Sequence, residues 1–193
     1  MNNGTKKIAS FFDKLAPSWR VGYEIDNNRL EQIFECVDWS KYNTVLDVAC
    51  GTGVLDEYLL SKGLKVDAID VSAAMIEVAK RDPKHKGVNY YVADFYSFKG
   101  KYDAIVVFDS YPHFLDKVAF AKAASELLSD GGEVWIVFDE CREKIDAHHL
   151  DMDPDLSCGL LEPEEEYSRV KDYFSLIYLK SNQDGYYLAL KKK

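Results

Sequence analysis

Apolar residues along this chain alternate between short unbroken runs and longer stretches that repeat at helical spacing. Unbroken runs of β-branched and aliphatic residues, such as 44–48 and 65–70, are typical of strands buried on both faces of a sheet. The stretches between them place an apolar residue at every third or fourth position, which is typical of amphipathic helices. Regular alternation of the two patterns predicts a parallel sheet with right-handed crossovers and helices on both faces.

Two helices are predicted before the first strand, one ending before Pro17 and one capped by Asp26 and ending near Asp38. After the fifth strand, the runs 173–179 and 185–190 are separated only by a short polar loop, 180–184, and therefore predict an antiparallel hairpin. Segment 142–167 remains open, apart from a helix start at 162–166. The other predicted elements are strands at 44–48, 65–70, 89–93, 102–109 and 133–139, and helices beginning near 54 and spanning 73–81 and 117–129.

The first strand runs through two glycines directly into a helix. Gly51 and Gly53 can turn the backbone sharply and leave no side chain between the main chain and a ligand. In a doubly wound sheet, this turn lies at the carboxyl edge of a strand, where ligands bind. The third glycine of the dinucleotide fingerprint is absent, since Asp56 stands in its place, and no Gly-Lys-Ser/Thr of a Walker loop follows.

Asp47, four positions before Gly51, narrows the class of ligand. A carboxylate at this edge repels a pyrophosphate and attracts a cation. The sequence therefore favours a sulfonium or ammonium compound over a dinucleotide.

These residues resemble the first motif of class I S-adenosylmethionine (SAM)-dependent methyltransferases, Asp-x-x-x-Gly-x-Gly. The resemblance continues in register: Asp70 ends the second strand, Asp94-Phe95 follows the third, and residues 102–109 and 127–132 resemble the fourth strand and the turn before the fifth. Together these pieces cover about half of the chain. Residues 11–19 are similar to the opening of the subgroup that includes quinone-biosynthesis methyltransferases.

The resemblance implies a Rossmann-like doubly wound α/β sheet of seven strands in the order 3-2-1-4-5-7-6, with the last strand antiparallel. It also implies one methyltransferase domain over 1–193, in which 1–40 form a helical cap over the active site and 41–193 form the SAM-binding core. The expected activity is in-line transfer of the SAM methyl group to a small-molecule acceptor, with S-adenosylhomocysteine (SAH) as product.

The resemblance also assigns cofactor-binding roles. It places Asp47 near the methionine ammonium and Asp70 on the ribose hydroxyls. Ala49 stands where the common family form has glycine, and its side chain disfavours positive φ. Met75 packs either on adenine or in the core. The full expected set is Asp47, Ala49, Gly51, Asp70, Val71, Met75, Asp94 and Phe95 (the last two at adenine), and Phe108 beside the methionine portion.

On the acceptor side, residues 108–114 resemble the family loop that carries a histidine toward the active site. The resemblance implies His113 as the general base, with a purely structural role as the alternative. His148 and His149 invite a metal interpretation, but adjacent helical residues point about 100° apart and do not easily share one ion. No metal site is therefore predicted. The expected substrate pocket consists of Trp19, Tyr23, Asp109, Tyr111 and His148.

Composition limits the partners. The net charge of −9 opposes binding to a nucleic-acid backbone, and no apolar run is long enough to span a bilayer. The four cysteines have no Cys-x-x-Cys spacing, which favours a reducing cytoplasm. We therefore expect a small-molecule substrate, no nucleic acid and no membrane insertion, and we leave the oligomeric state and the acceptor atom (oxygen, nitrogen, carbon or sulfur) open.

Other functions on the same fold stay open. A SAM-binding sensor or assembly protein would lack a closed pocket beside the methyl group. An aminopropyl transferase would need further carboxylates for a polyamine, and Asp109 is the only obvious one. A nucleic-acid methyltransferase is disfavoured by the acidic charge and by the lack of an Asn/Asp-Pro-Pro-Tyr/Phe motif after the fourth strand.

Overall fold

The computed structural model describes residues 3–19, 25–149 and 152–193 of the 193-residue chain. Within these segments the strands are β1 (Thr44–Val48), β2 (Lys65–Asp70), β3 (Asn89–Val92), β4 (Tyr102–Phe108), β5 (Leu128–Phe138), β6 (Phe174–Asn182) and β7 (Gly185–Lys192). They form one seven-stranded sheet in the order β3-β2-β1-β4-β5-β7-β6. The predicted Rossmann-like sheet and its strand order are therefore confirmed.

Helix starts follow from capping residues in the sequence. The side chains of Asp26, Ser72 and Asp116 each accept a hydrogen bond from the backbone N–H three residues later, which closes the first turn of a helix. The α-helices of the described residues are α1 (Asn3–Leu15), α2 (Asn27–Ile33), α3 (Asp56–Ser61), α4 (Ala73–Arg81), α5 (Lys117–Leu127), α6 (Arg142–His149) and α7 (Pro163–Val170).

The chain forms two compact units, residues 1–95 and 96–193. In the first unit, β1 pairs in parallel with β2, and β2 pairs in parallel with β3. The last four residues of β1 are all buried, as their unbroken apolar pattern predicted. Because the strands are parallel, their carboxyl ends share one edge, and the turns that follow β1, β2 and β3 start there.

In the second unit, β4 pairs in parallel with β5, whereas β7 pairs antiparallel with both β5 and β6. The predicted terminal hairpin is therefore confirmed. Its turn consists of Gln183 and Asp184, and is shorter than the predicted loop 180–184 because β6 extends to Asn182.

Several predicted boundaries were wrong. Strand β5 begins at Leu128 rather than at 133, because Leu128 already pairs with Tyr102 across a register shift. Helix α5 consequently ends at Leu127 rather than at 129. Helix α2 ends at Ile33 rather than near Asp38, because the Asp38 side chain caps a separate 3-10 helix, Trp39–Lys41.

The segment 142–167 contains α6 and the start of α7, where Pro163 and three acidic residues occupy the first turn as predicted. Arg142 Nε donates to Glu162 Oε1 at 2.8 Å, and Arg142 Nη1 lies 2.9 Å from Asp146 Oδ2, so α6 is tied to the residue before α7. Within the described residues, His, Cys, Asp and Glu side chains form no group of three able to hold a metal ion. No helix in those segments has the length and apolarity needed to cross a membrane.

Candidate functional site

The glycine turn between β1 and α3 has three residues with positive φ. Ala49, Gly51 and Gly53 have φ values of 58°, 55° and 82°. The turn is tied to β2, because Cys50 N donates to Ile69 O at 3.1 Å. Two of the three residues are glycine and adopt this conformation without strain. Ala49 adopts it in spite of its side chain, at a cost of about 1–2 kcal/mol.

Ala49→Gly is therefore expected to raise the free energy of unfolding by up to about 1 kcal/mol. Relief of the strain exceeds the entropic cost of a glycine, which is about 0.5–1 kcal/mol. Urea denaturation measures this, with Ala74→Gly in α4 as the matched control. The control should lower the free energy of unfolding by about 0.5–1 kcal/mol, and an equal loss in both variants would show that Ala49 is not strained.

Asp47 lies near the carboxyl end of β1 and is only 2% exposed. Its Oδ2 accepts no hydrogen bond from any part of the chain that the structure describes. Burial, together with the nearby carboxylates of Asp56 and Asp70, raises the pKa of Asp47 well above its usual value. A buried carboxylate oxygen without a donor is costly, so this position favours a ligand that brings N–H groups and positive charge.

Asp70 ends β2 and is held by two main-chain donors. Gly51 N donates to Asp70 Oδ2 at 2.9 Å, and Ser72 N donates to Asp70 Oδ1 at 2.8 Å. Burial raises the pKa of Asp70 to about 6, although both N–H groups oppose the shift and the charge of Asp13 adds to it. At neutral pH this side chain is thus a fixed carboxylate with lone pairs left for ligand hydroxyl groups.

The raised pKa of Asp70 predicts a pH dependence for the unliganded protein. Folding raises the pKa of this carboxyl from 3.8 to about 6, so its stabilising contribution is fully present below 3.8 and is lost as the pH rises through 6. Urea denaturation between pH 4 and 7 measures the effect. Asp70→Asn does not titrate and should remove this part of the dependence. A pH profile that is identical in the variant would contradict the assignment.

Asp94 and Phe95 follow β3, and both are buried. Asp94 Oδ2 accepts a hydrogen bond from Thr5 Oγ1 of α1 at 3.1 Å. No local pattern predicts this contact, because the two residues lie 89 positions apart. The residue that the resemblance assigns to adenine is therefore also a contact of the N-terminal helix.

Val71 and Met75 lie on either side of the cap of α4. Val71 is half-buried, while Met75 is 1% exposed and belongs to the core. Met75 N donates to Ser72 Oγ at 3.1 Å, as the capping pattern predicted. The burial of the Met75 side chain favours the core alternative over contact with a ligand.

Helix α1 and the turn after it lie beside these cofactor-binding candidates. Asp13 Oδ1 accepts hydrogen bonds from Ser72 Oγ at 2.6 Å and from Ala74 N at 3.0 Å. Trp19 is 44% exposed, and its Nε1 lies 3.6 Å from the position that a Cβ on Gly51 would take. The structure thus brings Trp19 to the glycine turn, while Tyr23 lies outside the described residues.

In the second unit, Phe108 ends β4 and is buried, and Asp109 follows it with a positive φ of 50°. Asp109 N donates to Val137 O at 3.0 Å, and Asp139 N donates to Asp109 Oδ1 at 3.4 Å. Both hydrogen bonds hold Asp109 against the end of β5. A non-glycine residue in this conformation is strained, and such strain is concentrated at functional sites.

The predicted base, His113, ends a 3-10 helix, Tyr111–His113. His113 Nδ1 lies 2.8 Å from Leu156 O, and since a carbonyl only accepts, Nδ1 carries the hydrogen. Burial lowers the pKa of His113 to about 4, so the ring is neutral at physiological pH. Tyr111 is fully buried, with Lys117 Nζ 3.7 Å from its ring centre, and is enclosed rather than open to a ligand.

The two adjacent histidines of α6 have different surroundings. His148 is exposed, and its Nδ1 lies 3.4 Å from Glu140 Oε2. His149 packs edge-on against His113, with 5.4 Å between ring centres, and its Nδ1 donates to Ile145 O at 2.6 Å. The structure therefore brings His149 beside His113, while the predicted pocket residue His148 is exposed. The sequence did not separate them because the register of α6 was unknown.

The chain is similar to known methyltransferases in sequence and in fold. A family model described as a methyltransferase domain matches residues 45–132. The chain is similar to the ubiquinone biosynthesis O-methyltransferase of Erwinia tasmaniensis, with 29% identity over 134 residues that cover 66% of this chain and 55% of that protein. For the enzyme of the same name from Histophilus somni, identity is 28% over 63% of this chain and 58% of that protein. The chain thus spans little more than half the length of these relatives.

Solved structures share the fold at low identity. Magnesium protoporphyrin IX methyltransferase from Synechocystis PCC 6803 with bound SAH has a TM-score of 0.72 at 17% identity, over 99% of this chain and 100% of that chain. A complex of the Haloferax volcanii Trm112 methyltransferase activator with a putative methyltransferase has a TM-score of 0.73 at 14% identity, over 94% of this chain and 97% of that chain. These likenesses show the fold.

Proposed function

Because this chain belongs to the class I SAM-dependent methyltransferases, we propose that it transfers the methyl group of SAM to a hydroxyl oxygen of a small-molecule acceptor. Similarity to proteins named O-methyltransferases favours oxygen over nitrogen, carbon or sulfur. The acidic net charge of −9 favours a small molecule over a nucleic acid. The observation that carries the proposal is the set of carboxylates at the carboxyl edge of β1, β2 and β3.

The residues around the glycine turn suit SAM. Asp47 Oδ2 is buried and has no donor among the described residues, so it is matched by the ammonium group of the methionine portion. Asp70 is a carboxylate fixed by Gly51 N and Ser72 N, and it would accept from the ribose hydroxyls. Asp94 and Phe95 would hold adenine. When bound, SAM supplies an electrophilic methyl group on a sulfonium sulfur.

We propose that His113 orients the acceptor hydroxyl. Its Nδ1–H is held by Leu156 O, which leaves the Nε2 lone pair as the group that accepts a proton. With a pKa of about 4, His113 is neutral over the whole working range and is a weak base. In such an enzyme much of the rate comes from holding the two partners in line, and His113 contributes by directing the oxygen lone pair.

His113→Gln is expected to lower kcat by about 100-fold, because misplacing a reacting group by about 1 Å can cost roughly 10²-fold in rate. SAH affinity should stay within about twofold, because His113 is assigned to the acceptor. Steady-state kinetics and calorimetry measure the two quantities. His148→Gln, on the exposed face of α6, is the matched control and should leave kcat unchanged. An unchanged kcat in His113→Gln would remove this residue from the mechanism.

The proposed function is tested by adding methyl-labelled SAM to the protein with a panel of small phenols and catechols, and following label in the organic phase. We expect at least one hydroxyl acceptor to be methylated with stoichiometric SAH formation. Tight SAM binding without label transfer to any acceptor would favour a binding role. Turnover of decarboxylated SAM with a polyamine would favour aminopropyl transfer.

We further propose that the protein works in a reducing compartment such as the cytoplasm. All four cysteines, which lie in described segments, are thiols, and Cys50 and Cys141 are buried. Burial and neighbouring carboxylates raise the pKa of the Cys50 thiol, which keeps it protonated and unreactive.

A further inference from the structure

A buried polar cluster lies directly beneath the glycine turn. Asp56, the first residue of α3, is fully buried, and its Oδ2 lies 2.1 Å from the position that a Cβ on Gly53 would take. His85 is 5% exposed, and its Nδ1 lies 2.9 Å from the same position. These two side chains fill the space in which any side chain at position 53 would have to fit.

Tyr90 of β3 holds the Asp56 carboxylate in this place. The Tyr90 hydroxyl donates a hydrogen bond to Asp56 Oδ2. Burial and the charge of Asp56 raise the pKa of Tyr90, so the phenol keeps its hydrogen and remains the donor. A hydrogen bond to a charged acceptor in the interior is stronger than one between neutral groups. Asp56 and Tyr90, joined in this way, form what we call the turn clamp.

His85 closes the other side of the turn clamp. Its Nδ1–H donates to Ala79 O at 2.9 Å, and the same nitrogen lies 3.6 Å from Asp56 Oδ2. His85 Nε2 lies 3.7 Å from Asp82 Oδ2. The carboxylate of Asp56 is thus enclosed by residues from β3 and from the 3-10 helix Pro83–His85.

The charge of Asp56 influences Asp47, the residue assigned to the amino-acid end of SAM. The pKa of Asp47 is raised by burial and then by the charge of Asp56. The pKa of Asp70 is governed by burial, by the N–H groups of Ser72 and Gly51, and by Asp13. Asp56 therefore acts on Asp47, at the side of the turn where the methionine portion would bind.

We propose that Asp56, held by Tyr90, is a positioning residue that fixes the conformation of Gly53 and thereby sets the affinity for the amino-acid end of SAM. The inference rests on the proposed binding of SAM. It gives a function to the position at which a dinucleotide-binding protein has its third glycine. A side chain at this position fills the space beneath the turn and supports Gly53 from below.

Two ligands separate positioning from general stability. SAH carries the amino-acid end, whereas 5′-methylthioadenosine has the same adenosine and thioether without it. In Tyr90→Phe, calorimetry should show the Kd for SAH raised about tenfold, equivalent to about 1.4 kcal/mol, with the Kd for methylthioadenosine within about twofold. Asp56→Ala should show the same selectivity with a larger effect. Equal weakening of both ligands, or of neither, would overturn the proposal.

Asp56→Asn tests the geometry apart from the charge. The amide oxygen of the new asparagine still accepts from Tyr90. Loss of the Asp56 charge weakens the attraction for the ligand ammonium group, but it also makes Asp47 easier to ionise, and these two effects oppose each other. SAH affinity should therefore stay within about threefold of native. A loss as large as that in Asp56→Ala would refute support through shape and hydrogen bonding. Tyr91→Phe, on the exposed neighbour, is the matched control and should change neither Kd. If the native protein itself fails to bind SAH, the proposed function fails instead.

Discussion

Replacing Asp70 with asparagine is expected to weaken SAH binding by about 100-fold or more. Asparagine has one acceptor oxygen, so either Gly51 N or Ser72 N would face an amide NH₂ group instead of a carboxylate oxygen. The ribose hydroxyls would also lose a charged acceptor. Hydrogen bonds to charged groups contribute about 1.5–3 kcal/mol each, and a loss of about 2.8 kcal/mol corresponds to 100-fold. Calorimetric titration with SAH measures the change.

Asp67→Asn is the matched control for this variant. Asp67 lies on the same strand, β2, and its Oδ1 accepts an exposed hydrogen bond from Asn89 Nδ2 at 2.9 Å. We expect its SAH affinity to stay within about twofold of native. Native-like heats of binding in a folded Asp70→Asn protein would contradict the role given to Asp70.

Gly53→Ala is expected to lower the free energy of unfolding by about 3 kcal/mol or more. The new Cβ would lie 2.1 Å from Asp56 Oδ2 and 2.8 Å from His85 Cε1, at a backbone φ of 82°. Strain in the left-handed region costs about 1–2 kcal/mol, and forcing atoms into a filled interior adds about 1–3 kcal/mol. Urea denaturation measures the total.

Gly63→Ala isolates the part due to contact. Gly63 has a similar φ of 77°, but a Cβ there would meet no atom of the described residues within 4 Å. It should therefore lose only the strain of about 1–2 kcal/mol. Equal losses of unfolding free energy in the two variants would mean that the side chains near Gly53 move aside without an energetic cost. The packing described beneath Gly53 would then be wrong.

The strands near the glycine turn could be predicted because they are unbroken apolar runs with clear ends. Strands β1 and β2 begin and end where the pattern placed them. Ser72 predicted the start of α4, because a capping side chain is a local signal. The strand order is not local information, and its prediction came from the resemblance of five pieces in register.

Contacts between distant residues could not be predicted from the pattern. Thr5 reaches Asp94 across 89 positions, and Asp13 reaches Ser72 across 59. A helical period shows that α1 has an apolar face, but not which polar side chains meet a partner at its edge. For the same reason Tyr90 was not predicted as the donor to Asp56, since nothing in a largely exposed strand marks one tyrosine hydroxyl as paired.

Backbone conformation was the other limit. Ala49 was expected to resist a positive φ, yet the turn requires one, and the surrounding hydrogen bonds impose it. Similarly, the choice between His148 and His149 depended on the rotation of α6, which a short helix after an irregular segment does not reveal. Tertiary packing overrides a local preference at Ala49, whereas at the two histidines the sequence contains no local preference to override.

We propose that the glycine turn that follows Asp47 binds a cationic sulfur donor rather than a phosphate. Calorimetric titration of the native protein with SAM, SAH and NAD tests it most directly. We predict one site with a Kd in the micromolar range for SAM and SAH, about −8 kcal/mol, and no heat of binding with NAD. Binding of NAD at this site, competed by ADP and not by SAH, would contradict it.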